Sequence, residues 1–171
     1  MYIALVILLL AVWVIIIYNK ALSWKLKVEN SLSQIDVQLK AKIEKIPNLV
    51  DTAKKYTEYE LEVFEKTTEL RSQLLNAAST EDAVKIDDKL NQSIDRIFAV
   101  SESYPELKAD KLFVEIQNQI REIENKIAIY RQFYNDTVML NNRYLQSFPN
   151  NIILKLFGFK EKEYLKFDIV D

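Results

Sequence analysis

The chain has 171 residues, of which 23 are basic and 25 acidic, and it contains neither histidine nor cysteine. The missing imidazoles and thiols exclude Ser-His and Cys-His nucleophile pairs, zinc sites built on those ligands, and the Glu-x-x-His pairs of di-iron bundles. A single glycine excludes a P-loop and a dinucleotide-binding turn. The net charge of -2 does not favour nucleic acid as a partner, and the sequence indicates no cofactor and no small-molecule substrate.

The first eighteen residues form an uncharged apolar run, which predicts a membrane-spanning helix. At about 1.5 Å per residue the run is roughly 27 Å long, close to the ~30 Å hydrocarbon core of a bilayer. Tyr2, Trp13 and Tyr18 are the expected anchor residues, since aromatic rings favour the headgroup level. A cleaved signal peptide is the alternative, but nothing basic precedes the run and the run is longer than such peptides use. A buried core helix is disfavoured because the run is apolar on every side.

Lysines follow the apolar run but none precedes it, which predicts an outward N-terminus and a cytoplasmic remainder. Lys20, Lys25 and Lys27 are close enough to the lipid headgroups to attract anionic lipid. Lys40, Lys42 and Lys45 lie about 30 Å further along the helix, and we expect them on ordinary surface.

The rest of the chain predicts an all-α fold: a transmembrane helix followed by an elongated antiparallel bundle of three long helices and a short C-terminal helix. With one glycine and three prolines, the chain has few of the residues that form the turns between β-strands. Apolar seams with steps of three and four mark the three long helices. The seams consist of Leu32, Ile35, Leu39, Ile43, Ile46, Val50, Ala53 and Tyr56; of Ala83, Ile86, Leu90, Ile94, Ile97 and Val100; and of Phe113 through Tyr134 to Phe148.

Helix ends are predicted from capping residues and prolines. Pro47 lies within the first seam, where a kink or a break is expected, and that seam continues to Leu74. Ser79 and Asp110 are the expected N-caps of the second and third helices. Gly158 is expected to close a short helix over 151–157. We therefore predict three parts: a membrane anchor (1–19), a helical bundle (20–150), and a short helix with an apolar segment that packs on the bundle (151–171).

Two sets of polar residues are candidate sites. The carboxylates of Glu58, Glu62, Glu65 and Glu69 share roughly one helical face and could hold Ca²⁺ or Mg²⁺, although a solvated face is the favoured interpretation. The second set lies on or beside the seams, and bonding across helices is favoured over a ligand site. Its members are Gln34, Asp36, Gln38, Asn48, Glu124, Asn125, Arg131, Asn135, Asn141 and Asn142.

The order of several short motifs resembles the LemA family of bacterial membrane proteins. These motifs are Tyr18-Asn19, Ser33-Gln-Ile-Asp-Val-Gln-Leu-Lys40, Ile46-Pro-Asn-Leu-Val50, Tyr104-Pro-Glu-Leu-Lys-Ala109, Glu124-Asn125, Ile127-Ala128, Phe133-Tyr-Asn135, Ser147-Phe-Pro149 and Leu156-Phe-Gly-Phe159. The resemblance implies one N-terminal membrane helix, an outward N-terminus, an elongated helical bundle in the bacterial cell membrane, and no established enzymatic activity. Its motifs include six of the polar residues above: Gln34, Asp36, Asn48, Glu124, Asn125 and Asn135.

Three functions remain open from the sequence. A membrane-anchored interaction or scaffold protein, with the bilayer and unidentified proteins as partners, is favoured. An enzyme or enzyme subunit that acts on lipid or the cell envelope would have to use carboxylates, lysine or tyrosine. Lipid binding or remodelling would depend on the apolar segment over 152–170.

Overall fold

The computed structural model describes residues 1–57 and 59–166, and these residues form six helices and no strand. The helices are α1 (Tyr2–Lys54), α2 (Leu61–Leu75), α3 (Thr80–Ser101), α4 (Pro105–Ala109), α5 (Lys111–Gln146) and α6 (Asn150–Leu156). The predicted all-α fold with a long apolar N-terminal helix is confirmed. The expectations for Glu58 and for the apolar residues after position 166 lie outside the described residues.

Helix α1 continues through Pro47, so the alternative of a break there is wrong. Proline has no N–H to donate to the carbonyl four residues earlier, which belongs to Ile43. In the structure, Nε of Arg71 on α2 donates a hydrogen bond to that carbonyl at 3.0 Å. The helix ends at Lys54 instead, and the segment predicted as one helix to Leu74 is therefore two helices.

The predicted N-caps of α3 and α5 are both present. Oγ of Ser79 accepts a hydrogen bond from the backbone N–H of Asp82 at 3.1 Å. Oδ1 of Asp110 accepts one from the N–H of Phe113 at 2.9 Å. Each cap satisfies an N–H that has no partner within its own helix, which is why short polar side chains stand at these two positions.

Gly158 ends α6 in the left-handed region, with φ of +76°. The N–H of Gly158 donates to the carbonyl of Lys155 and that of Phe159 to the carbonyl of Leu154, both at 3.1 Å. This pair of bonds is the Schellman motif, which glycine favours because it has no Cβ to strain the positive φ.

The chain divides into two compact units. The first unit comprises Met1–Leu32 and Arg131–Lys166, and the second unit comprises Ser33–Tyr130 among the described residues. Each unit has a core of its own, which is described separately below. The division of the chain into parts at residues 19 and 150 stays a prediction.

The core of the second unit is built from apolar side chains on α1, α2, α3 and α5. Most of its predicted seam residues are buried, whereas Tyr56, Ile86, Val100 and Tyr130 are half-buried, and α2, which packs on α3, adds three apolar side chains. The buried seam residues and the three on α2 are Ile35, Leu39, Ile43, Ile46, Val50 and Ala53; Phe64, Leu70 and Leu74; Ala83, Leu90, Ile94 and Ile97; and Phe113, Ile116, Ile120, Ile123 and Ile127.

The core of the first unit lies where the apolar run ends. Ile17 and Ala21 of α1 form one buried cluster with Leu145 of α5 and Leu154 of α6. The predicted last residue of the third seam, Phe148, does not join this cluster and is 81% exposed. The chain has already left α5 at that point, so the helical spacing that placed Phe148 on the seam no longer applies.

Among the described residues, α1 is the one helix whose length and composition suffice to cross a bilayer. The most apolar window of 18 residues has a mean hydropathy of 2.6, and only 6% of that window is buried. A core helix of this composition would be covered by protein. The apolar run therefore exposes large side chains that water solvates poorly.

Candidate functional site

The expected anchor residues Tyr2, Trp13 and Tyr18 are all exposed. Tyr18 also contacts the chain that leaves α6. Its ring lies edge-on to the rings of Phe157 and Phe159, with centroid distances of 5.3 and 5.5 Å. The end of the apolar run is thus held against the segment that follows α6, an arrangement that the sequence did not indicate.

The three lysines after the apolar run are exposed and interact with neighbours on the first unit. Nζ of Lys27 lies 4.3 Å from the ring centre of Trp24, and Nζ of Lys20 lies 5.4 Å from that of Tyr144. Lys25 lies 3.9 Å from the carboxylate of Glu29. Contacts between exposed groups at these distances are weak, so the ammonium charges remain accessible to a stronger anionic partner.

A cavity of about 460 Å³ opens on the first unit between α1 and the segment after α6. On α1 it is lined by Tyr18, Leu22 and Lys25, which are four and three residues apart and therefore share a face. The remaining lining residues are Asn141 and the segment 157–162, which carries two phenylalanines, two lysines and one glutamate. Tyr18 and Lys25 were predicted to meet lipid, and the segment 157–162 falls within the 152–170 stretch on which the alternative of lipid binding depends.

The segment after α6 runs antiparallel along α5, where two asparagines hold its backbone. Asn142 accepts from the N–H of Lys162 at 2.9 Å and donates to its carbonyl at 2.8 Å. Asn135 makes the same two bonds with Leu165, both at 2.9 Å. Seven residues of helix rise about 10.5 Å, and three residues of extended chain cover about 10 Å, so both asparagines meet the segment in register.

Two more side chains of α5 complete this asparagine clamp, as we call the four residues together. The hydroxyl of Tyr134 donates to the carbonyl of Glu163 at 3.1 Å, and Arg131 donates to the carbonyl of Lys166 at 2.5 Å. Each of these six hydrogen bonds between the clamp and the segment involves a backbone group of the segment rather than a side chain. The clamp can therefore hold an extended chain largely independently of its sequence, and the buried Leu165 side chain supplies the apolar contact.

The second unit contains a buried charge cluster around Lys42. Its ammonium lies 2.9 Å from Oδ1 of Asp87 and 3.3 Å from Oε1 of Glu124, and it donates a hydrogen bond to Oδ1 of Asn91. The Lys42 side chain is completely buried, so the expectation of a surface position is wrong. Sequence reasoning also missed Asp87. A signal was present, since Lys42 lies between the seam residues Leu39 and Ile46.

Burial raises the pKa of Glu124, and the adjacent Lys42 opposes that rise. Asp95 and Asp87 add to the rise because they also carry negative charge. Glu124 joins α5 to α1 through Lys42, the kind of cross-helix bond proposed for the polar set. Because the side chains of Lys42 and Asp87 are closed to solvent, we interpret this cluster of two acids and one base as a contact that joins helices rather than as a ligand site.

The other motif residues lie in different surroundings. Asp36 pairs with Lys40 one turn later at 2.7 Å. Asn48 and Asn125 are exposed, and Gln34 is half-buried. The structure therefore does not bring the six motif residues together into one site, and their functional roles stay predictions.

The carboxylate run on α2 is occupied in part by local bonds. Glu69 accepts hydrogen bonds from Lys66 and from Gln73, both at 2.9 Å, and the bond from Lys66 lowers the pKa of Glu69. Within residues 1–57 and 59–166 no group of three or more acidic side chains is placed to hold a metal ion.

Comparison with known proteins gives one family and two relatives. The model of the LemA family matches residues 31–170. The relatives are Magnetosome protein MamQ 1 and Magnetosome protein MamQ 2 of Paramagnetospirillum magneticum, each 28% identical over 80 residues. That match covers 47% of this chain and 29% of either relative, so the chain spans less than a third of their length. Since the family model covers most of the residues, the chain belongs to the LemA family.

Proposed function

We propose that this protein is a single-span, membrane-anchored interaction protein that presents helical surface beside the bilayer. The observation that carries the proposal is the exposure of the apolar run, which only a bilayer or an extensive apolar partner would cover. Because α1 is one helix from Tyr2 to Lys54, the same element that spans the membrane also supplies core residues to the second unit.

The lysines that follow the apolar run support a placement of the second unit in the cytoplasm of a bacterial cell, with the N-terminus outside. The division into an anchor over residues 1–19 and a helical remainder fits this placement. The name of the two relatives says that they are magnetosome proteins, but the match spans too little of their length to extend that role to this chain.

Exposed apolar residues on α5 support a protein partner. Phe133 and Leu140 lie two turns apart on one face of the first unit, and both are exposed. A partner helix or an extended apolar peptide could bury them together. The proposal assigns no catalytic role to any residue.

The anchor is tested by alkaline carbonate extraction of membranes from cells that express the full chain. We expect the protein to remain in the pellet, and a variant without residues 1–19 to be released. Release of the intact protein would contradict membrane anchoring. A cysteine introduced at Tyr59 should resist a membrane-impermeant thiol reagent in intact cells, and labelling there would contradict the proposed orientation.

The interaction surface is tested with a photoreactive amino acid placed at Phe133 or Leu140 in living cells. We expect discrete cross-linked protein species from both positions. Gln132 is the matched control, since it is exposed on the same helix but is polar and points to another side. Equal cross-linking from all three positions would reject a specific surface.

A further inference from the structure

The cavity between α1 and the segment after α6 lies at the depth of lipid headgroups if the apolar run spans the bilayer, as proposed above. Tyr18 is the last residue of that run. Leu22 and Lys25 follow about 6 and 10 Å further along the helix. The headgroup layer on each side of the hydrocarbon core is roughly 5 to 8 Å thick. The cavity therefore begins within the layer where lipid phosphates lie, and Lys25 stands at its outer edge, from which a long lysine side chain reaches back into the layer.

The charges that line the cavity favour an anion. Three lysines, Lys25, Lys160 and Lys162, line it with one acidic residue, Glu161, while Glu29 lies 3.9 Å from Lys25 outside the lining. The segment that carries Lys160 and Lys162 is fixed at both ends, by the Schellman motif at Gly158 and by the two bonds of Asn142 to Lys162. The backbone that carries these two lysines is thus held in place before any ligand arrives, which lowers the entropy cost of binding.

Helix α6, which lies beside the cavity, exposes apolar side chains next to the end of the apolar run. Leu154 of α6 packs on Ile17 and Ala21, at the end of that run. Ile152 and Leu156 share another side of α6, and Leu156 is 84% exposed. Phe148, just before α6, is exposed as well. Because this apolar surface adjoins the end of the membrane span, the bilayer is the occupant that covers it without a further partner.

We infer that this cavity binds the phosphate headgroup of an anionic phospholipid. Lys25, Lys160 and Lys162 pair with the phosphate, and the rings of Tyr18, Phe157 and Phe159 contact the glycerol and the first acyl carbons. Phe148, Ile152 and Leu156 enter the adjacent acyl region. The inference deepens the proposed membrane anchoring, because it assigns a lipid class and a site to the membrane-proximal end of the chain.

The first test is native mass spectrometry of the full chain in detergent, with equal amounts of phosphatidylglycerol and phosphatidylcholine added. We expect phosphatidylglycerol adducts to predominate by at least tenfold, since each lysine near a headgroup contributes favourably to anion binding. The triple variant Lys25→Gln, Lys160→Gln, Lys162→Gln should lose this preference. The control Lys40→Gln, Lys85→Gln, Lys126→Gln removes the same charge from exposed positions of the second unit and should retain it.

Two results would overturn the inference: an unchanged preference in the triple variant, or an equal loss in the control. Millimolar glycerol 1-phosphate separates a lipid site from a site for free phosphate. We expect it to compete poorly, and competition as strong as that of phosphatidylglycerol itself would reject a lipid source.

The second test uses the wild-type chain and so does not depend on the folding of a variant. Nanodiscs contain phosphatidylglycerol or phosphatidylcholine with a photoreactive group on one acyl chain. We expect both lipids to label the apolar run equally, and phosphatidylglycerol to label residues 148–162 more strongly. Equal labelling of 148–162 would contradict the headgroup site. Carbonate extraction of the same protein distinguishes the two proposals, since loss of anchoring alone would contradict the proposed function.

Discussion

The ammonium group of Lys42 lies wholly inside the second unit, where it is 0% exposed, donates hydrogen bonds to Asp87 and Asn91, and forms an ion pair with Glu124. Replacing Lys42 with methionine keeps much of its volume but leaves Asp87 buried without its base. We expect Lys42→Met to lower the free energy of unfolding by about 3–5 kcal/mol, the usual cost of an uncompensated buried charge. Thermal or urea unfolding of the full chain in detergent, followed by circular dichroism, measures this loss.

Lys40→Met is the matched control, since Lys40 lies on the same helix and pairs with Asp36 on the surface at 2.7 Å. An exposed pair of this kind contributes about 0.2–1 kcal/mol, so the control should change stability little. Similar effects of the two substitutions would show that the ion pairs of Lys42 do not stabilise the second unit.

Glu124 should make stability depend on pH. Burial raises its pKa in the folded state, against the opposing effect of Lys42. Between the ordinary glutamate pKa and this raised value, the folded chain binds more protons than the unfolded chain. The contribution of Glu124 to stability therefore falls as pH rises through that window.

Glu124→Gln removes this titration and tests it. The melting temperature of the wild type minus that of Glu124→Gln should decrease as pH rises above the ordinary pKa of a glutamate, about 4.3. Asn125→Gln, at an exposed neighbouring position, should give a difference that is flat with pH. A flat difference for Glu124→Gln would contradict the raised pKa.

The partners of a charged side chain were harder to predict from the sequence than the burial of an apolar one. The seam residues were predicted by spacing alone, because spacing along a helix decides which side faces the core. The position of Lys42 between the seam residues Leu39 and Ile46 was a signal of its burial, but no local pattern identified the acid that pairs with it. The partner Asp87 is 45 residues away in the sequence, and only the packing of α1 on α3 brings the two charges together.

At the scale of a helix, Arg71 compensates for the proline within α1. Its Nε donates to the carbonyl of Ile43, which Pro47 cannot serve. We expect Arg71→Met to lower the free energy of unfolding by about 1.5–3 kcal/mol, the range for a hydrogen bond from a charged group. Unfolding of the full chain in detergent measures the change.

A double-mutant cycle with Pro47→Ala isolates this interaction. Alanine at position 47 restores an N–H that can donate to the carbonyl of Ile43. Arg71→Met should therefore cost less in the Pro47→Ala background than in the wild type. Equal costs in both backgrounds would mean that Arg71 stabilises the chain by another contact.

The ends of a helix were predicted correctly where one local residue determines them. The effect of Pro47 was not, because it depends on a hydrogen bond between two helices. Ser79, Asp110 and Gly158 act on backbone groups within three residues in either direction, so a local pattern suffices. Pro47 also predicts a local effect, but a donor on α2 compensates for it. That donor is 28 residues away from the carbonyl in the sequence and leaves no local signal.

At the scale of the whole molecule, the sequence predicted the helical class and the apolar run, but not the two compact units. Both α1 and α5 contribute residues to both units, so no glycine, proline or polar linker marks a boundary in the sequence. The cavity likewise combines α1 with a segment more than 130 residues later. Such a site depends on packing between distant elements rather than on a motif.

Variants of the asparagine clamp test whether the two units unfold locally and independently of each other. Asn135→Ala with Asn142→Ala removes two bonds each from the backbone of Leu165 and Lys162. At about 1 kcal/mol per bond, each asparagine contributes about 2 kcal/mol, so amide exchange over residues 160–166 should accelerate by roughly thirtyfold or more. Hydrogen exchange with mass spectrometry of the full chain in detergent measures this change, with Asn125→Ala as the exposed control on α5.

Amides of α3, in the second unit, should keep their protection in both variants. Equal acceleration in α3 would show that the two units open as one.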